Sequence, residues 1–194
     1  MMGGNYFSNA GTFLVETIFG IYMLIVLLRL LFQLVRADFY NPVSQMLVLI
    51  TNPPVLFLRR VVPGLWGIDM ASVILLFILG LIKLYLVQLI LNRVPAIPGA
   101  LLWTLTDLLQ LLIWVYIVAI LIRVIISWIT PSSYNPVMSL LISLTEPLMS
   151  RARRLLPPMS GLDLSPILLF ILLYLSLFLL VHPLLDISVA LSYR

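Results

Sequence analysis

Four continuous apolar stretches, Phe13 to Val35, Ala71 to Leu91, Leu108 to Ile129 and Ile167 to Val181, constrain this chain more than any other feature. A helix needs ~17 to 25 predominantly apolar residues to cross ~30 Å of hydrocarbon. Three stretches reach that length outright. The fourth reaches it if its helix starts at Leu164-Ser165-Pro166, where a first-turn proline lacks only a donor that would be unpaired anyway. A soluble core does not account for them, because 63% of the chain is hydrophobic and 9% charged, against about 25% charged in ordinary globular domains. The expectation is an all-α membrane protein with four transmembrane helices. The first apolar run is longer than a signal-peptide core and has no basic flank, so it is expected to stay uncleaved.

Superposing the chain on itself at an offset of 94 residues, without a gap, brings Tyr22, Arg29, Tyr40, Asn41 and Pro42 onto Tyr116, Arg123, Tyr134, Asn135 and Pro136. The same register places Thr51, Pro53, Arg59, Arg60, Pro63, Gly67 and Asp69 on Thr145, Pro147, Arg153, Arg154, Pro157, Gly161 and Asp163. Leucines would match by chance in such a composition, but these residue types are scarce here. The reading is two tandem repeats, residues 1–94 and 95–194, each with two crossings. Two crossings return the chain to the same side, so the repeats are expected to be parallel.

Between its crossings each repeat holds a proline-interrupted stretch. Asn41-Pro42 and Thr51-Asn52-Pro53 each resemble an N-cap followed by a first-turn proline, as do Asn135-Pro136 and Thr145-Glu146-Pro147. Two short helices of about 15 Å are therefore expected in each stretch, too short to cross. In the second, Leu148, Ala152, Leu155 and Leu156 fall on one face and Ser150, Arg151, Arg153 and Arg154 on the other, the pattern of a basic interfacial helix. A re-entrant hairpin is the alternative, and the more apolar Val55-Leu56-Phe57-Leu58-Arg59-Arg60 suits a deeper position.

Arginines set the orientation. Arg36, Arg59, Arg60, Arg151, Arg153 and Arg154 lie in the segments joining the first to the second and the third to the fourth crossing; the other side has Arg93 and Arg194. The positive-inside rule makes the arginine-rich side cytoplasmic. In a bacterial inner membrane both termini would then be periplasmic.

Arg29 and Arg123 occupy matching places near the arginine-rich ends of the first and third crossings. Charges within spans are costly and mark functional candidates, although a guanidinium can also snorkel or tie down a neighbouring helix. Asp69 and Asp163 open the next crossing on the same side and are the expected partners, giving the structural charge pairs Arg29 with Asp69 and Arg123 with Asp163. Both aspartates also suit a helix N-terminus. Lys83, in mid-helix, could snorkel, bind an outer-side group, or pair with Asp107 or Glu16. Arg59, Arg60, Arg151, Arg153 and Arg154 form the expected surface for anionic lipid or a partner. His182-Pro183 reads as structural, near a break at the end of the last crossing, and most tryptophans (Trp66, Trp103, Trp128) as interfacial anchors, with Trp114 inside a span.

No P-loop, nucleophile with a base, or metal-ligand spacing is visible, so no catalytic, cofactor or metal residues are assigned. The absence of cysteine excludes disulfides, thiolate metal sites and c-type haem attachment, and a single histidine excludes bis-histidine ligation within one chain. The net charge of +4 follows from topology, so nucleic acid is not an expected partner.

The second repeat carries Arg123-Val-Ile-Ile-Ser127-Trp128, Asn135-Pro136, Thr145-Glu146-Pro147-Leu148, Arg153-Arg154-Leu-Leu-Pro157-Pro158 and Gly161-Leu-Asp163-Leu-Ser165-Pro166. In these motifs it resembles the YggT family of small bacterial membrane proteins with chloroplast relatives. The first repeat is a weaker version, with Gln33-Leu34 and Met70-Ala71-Ser72 at the corresponding places. The resemblance implies roles such as assistance in attaching haem to a b-type cytochrome, nucleoid or envelope organisation, or osmotic tolerance. The cysteine and histidine content argues against haem carriage by this chain, so an assembly role would be that of a scaffold. The expected function is a non-enzymatic inner-membrane scaffold or assembly factor with a basic cytoplasmic helical surface. Its expected partners are anionic lipid headgroups and a membrane-protein partner or a second copy. A solute or ion pathway linked to osmotic tolerance is the alternative.

Overall fold

The computed structural model describes residues 4–65, 67–129, 135–156 and 163–193. Trp66, Tyr134, Pro157, Pro158, Gly161, Arg194 and the side chain of Trp128 lie outside the described residues. Seven α-helices run in the order α1 Gly4–Leu34, α2 Pro42–Arg59, α3 Met70–Ile90, α4 Ile97–Ile129, α5 Pro136–Leu155, α6 Ser165–Ser176 and α7 His182–Ser192, with a π-helical turn at Leu177–Val181 joining the last two. Among the described residues, four segments are long and apolar enough to cross a bilayer: Tyr6–Leu34, Met70–Ile90, Ile97–Ser127 and Ser165–Ser192. The chain is a multi-pass membrane protein.

The spans outrun their apolar cores. The 31 residues of α1 and the 33 of α4 are about 45 to 50 Å long at 1.5 Å per residue, so they tilt or project beyond the hydrocarbon. The last crossing does not break at His182-Pro183. Pro183 lacks the N–H that a helix would use and crowds the carbonyl one turn back. The π turn absorbs this, with the His182 N–H reaching back to the Leu177 carbonyl, and the helix continues to Ser192.

The connecting stretches are each one helix, not two. Asn41 and Asn135 cap α2 and α5 as expected, their side chains accepting the backbone N–H groups of Val43 and Val137 at 2.9 Å. Beyond the caps the expectation fails, because α2 runs through Pro53 and Pro54 and α5 through Pro147. The carbonyls deprived of a donor by Pro53 and Pro54 belong to Leu49 and Ile50, which are 74% and 40% exposed. Where water reaches that face, it can satisfy them without ending the helix. The buried side of α2 is Ser44, Leu47, Thr51 and Val55, one residue per turn, which is what holds it against the bundle.

Lipid is as apolar as leucine, so helix association here depends on close packing. On α3 a stripe of Ala71, Ser72, Leu75, Leu76, Gly80, Leu84 and Gln88 is buried. Gly80 is required at its crossing with α4, since a Cβ there would lie 2.6 Å from Thr104 Cγ2. α1 packs along α3, and α4 along α7. The main core draws Met23, Val26, Leu30, Val55, Leu75, Val115 and Leu144 from five helices. The two halves also meet where Asn41 Nδ2 donates to the Pro136 carbonyl at 2.7 Å.

Candidate functional site

The polar chemistry concentrates where α2 and α5 cross the arginine-rich ends of the spans, and it is built twice. Arg29 Nη1 on α1 donates to Thr51 Oγ1 on α2 at 2.6 Å; Arg123 Nη1 on α4 donates to Thr145 Oγ1 on α5 at 2.7 Å. Each threonine is fully buried and passes its own hydroxyl proton one turn back, to the carbonyls of Leu47 and Leu141. The hydroxyl is thereby oriented with a lone pair toward the guanidinium.

Asp69 and Asp163 are not the partners of Arg29 and Arg123. Arg59 grips Asp69 with two bonds, Nε to Oδ1 at 3.2 Å and Nη2 to Oδ2 at 2.6 Å, and Ser72 Oγ adds a third at 2.7 Å. Arg153 Nε holds Asp163 Oδ2 at 2.9 Å. In each half the aspartate ten residues beyond the arginine is its partner, while the span arginine faces the threonine. Asp69 occupies the cap position of α3 without a side-chain cap bond; Asp163 accepts the Ser165 N–H at 2.9 Å.

Glu146 was assigned no role from sequence. It bridges Arg123 Nη2 at 2.7 Å and Arg153 Nη1 at 2.8 Å. Its position corresponds to Asn52, so this carboxylate exists in the second half alone. Burial is the largest single influence on Asp69, Glu146 and Asp163 and pushes each carboxyl up. Their hydrogen bonds and arginine neighbours together outweigh it and hold all three below the ordinary carboxylate range.

The five arginines expected to form one basic surface therefore separate. Arg59 and Arg153 are ion-paired with Asp69, Asp163 and Glu146, whereas Arg60, Arg151 and Arg154 are exposed and form no ion pair among the described residues. Of the expected apolar face of α5, Leu155 is 74% exposed beside them, whereas Ala152 is buried in a cluster with Met149. Lys83 takes one of its open alternatives, pairing with Asp107 at 2.8 Å between α3 and α4. Among the described residues no three His, Asp or Glu side chains converge as metal ligands.

The duplicated geometry has a counterpart among known proteins: the family model described as CCB3/YggT matches residues 8–90 and again 102–184, the offset that superposes Arg29 on Arg123. The chain belongs to the CCB3/YggT family. It is 41% identical over 166 residues to a Pseudomonas aeruginosa protein named Uncharacterized protein PA0392, covering 84% of each chain. It is 40% identical over 167 residues to Uncharacterized protein YggT of Escherichia coli, covering 86% of each. No solved structure matches it. Thr51 and Thr145 are site residues that the sequence pattern does not assign. The matched pair carries the signal, but a threonine two residues before a proline equally suits a helix cap.

Proposed function

We propose that this CCB3/YggT-family protein is a non-enzymatic scaffold or assembly factor of the bacterial inner membrane. The arginine-rich ends face the cytoplasm, the termini face the periplasm, and the two repeats run parallel with α2 and α5 resting on the inner leaflet. One observation carries the reading: Arg60, Arg151 and Arg154 stay exposed at the ends of α2 and α5, while Asp69, Glu146 and Asp163 are held by Arg59, Arg123 and Arg153. Each basic residue near an anionic surface contributes about 1 kcal/mol, so three contribute roughly 3 kcal/mol that salt can screen.

The test is a triple Arg→Gln variant at 60, 151 and 154, purified from native membranes. Expected is normal insertion, held by Arg36 and the paired arginines, with loss of a stoichiometric, salt-sensitive partner. The reading fails if the variant keeps the same partners and restores a deletion strain as fully as the parent does, which would leave these arginines as topology determinants.

A solute or ion pathway draws support from the Lys83–Asp107 pair within the spans. It predicts flux in liposomes that Lys83→Met abolishes.

A further inference from the structure

The two halves differ at one place where the protein's own chemistry indicates what is missing. In the second half, Glu146 accepts from Arg123 Nη2 and Arg153 Nη1. In the first half Arg29 uses Nη1 on Thr51, and Arg59 uses Nε and Nη2 on Asp69. The remaining N–H donors of both guanidinium groups have no acceptor among the described residues, because Asn52 stands where the carboxylate would be.

These donors face a cavity of about 500 Å³ lined by Arg29, Arg36, Arg59, Gln33, Ser44 and Asn52 on its polar side. Two features make it a built site. Arg29 is 7% exposed and the Ser44 hydroxyl is buried with no hydrogen-bond partner. Arg36 contributes the third guanidinium from a backbone φ of 53°, a left-handed conformation that non-glycine residues rarely adopt. The corresponding cavity of the second half is lined by Arg123 and Arg153 together with Asp163, and both arginines are ion-paired with Glu146.

We propose that the first-half cavity binds the phosphate of an anionic phospholipid, whose oxygens occupy the place that the Glu146 carboxylate takes in the second half. Arginine forks match phosphate as they match carboxylate. The apolar walls favour a lipid over a free anion. Phe32 belongs both to this cavity and to a second, apolar one of about 380 Å³ between α1, α4 and α5, lined by residues such as Leu28, Val115, Val118 and Leu144. A headgroup on the arginines can therefore lay an acyl chain past Phe32. The site is separate from the outward arginines Arg60, Arg151 and Arg154 and does not rest on the scaffold reading.

The test uses the full chain in phosphatidylcholine nanodiscs doped with phosphatidylglycerol, released into mild detergent for native mass spectrometry. One retained phosphatidylglycerol per parent chain is expected. Asn52→Glu installs the second half's carboxylate and should lower that retention about tenfold, the factor for losing one charge-assisted contact, without lowering thermal stability. Glu146→Asn should add a second retained lipid. The triple variant at 60, 151 and 154 should keep the first, which separates this outcome from that of the scaffold reading. Unchanged retention in Asn52→Glu overturns the site. If that variant does not insert, Arg36→Gln is read in its place, and parent-like retention there overturns the proposal equally. Displacement of the lipid by millimolar inorganic phosphate would overturn the lipid as occupant.

Discussion

Replacing Thr51 with valine removes one oxygen and little volume, so it isolates the bond that joins α1 to α2. The Arg29 guanidinium is left inside the protein without the Thr51 acceptor. A hydrogen bond to a charged group contributes ~1.5 to 3 kcal/mol, whereas hydrogen bonds between membrane helices average about 0.6 kcal/mol because alternative partners are found. Thr51 is fully buried and Arg29 7% exposed, which limits the alternatives, and about 1.5 kcal/mol is expected. Thr145→Val should cost less, about 0.5 kcal/mol, because Arg123 keeps Glu146 at 2.7 Å. Both variants lose the hydroxyl bond to the carbonyl one turn back, so that contribution cancels in the comparison. The assay is reversible denaturant unfolding in mixed micelles, run as a double-mutant cycle with Arg29→Met. A coupling energy below ~0.3 kcal/mol, within the error of additivity, or equal losses at the two threonines, would refute the argument.

Acid should weaken the fold. Asp69, Glu146 and Asp163 have folded-state pKa values below their unfolded ones. Their contribution is therefore complete above the unfolded carboxylate range, about pH 4, and is lost as pH falls through the lower folded values. Folded fraction in detergent should be flat from pH 8 to 5 and fall below about pH 4, less steeply in Asp69→Asn; a decline between pH 8 and 6 would count against this. For Lys83 and Asp107, each about one-fifth exposed, the single changes Lys83→Met and Asp107→Leu should each lower the yield of folded protein, and the double change should regain most of it, because a lone charge within a span costs more than an apolar pair. Parent-like yield from both single variants would show that the pair carries no stability.

What could be read from the chain follows the range of the forces involved. Spans and the repeat depend on hydropathy and residue identity along the sequence, and all four crossings appear with their apolar cores as expected. The partner of Arg29 depends on the rotation of α1 about its own axis and on where α2 lies over it. Charge pairing alone cannot supply that information, so Asp69 was the reasonable expectation and Thr51 the outcome. Asp69 was within reach of a better inference, since Arg59 and Arg153 stand at the same spacing from their aspartates in both halves. The helix break expected at Thr51-Asn52-Pro53 rested on reading the prolines as a new first turn. The carbonyls that they free belong instead to Leu49 and Ile50 on an exposed face of one continuous helix, and nothing in the local sequence fixes which way that face points.

The bidentate Arg59–Asp69 pair explains why α2 holds one orientation. An ion pair of this kind is a weak source of net stability, since apolar residues of similar size would often serve as well. Its geometry is more informative. Asp69 is 4% exposed at the start of α3, and Arg59 is the last residue of α2, so the two bonds close the turn between them and fix the roll of α2. At the other end the Asn41 cap ties α2 to the start of α5, and Thr51 ties its middle to α1. With three points fixed on its inner side, the outer side of α2 is determined as well. That side carries Leu49, Ile50, Phe57 and Arg60, so apolar groups, proline-freed carbonyls and positive charge share one exposed face, the composition that the proposed contact with the inner leaflet requires.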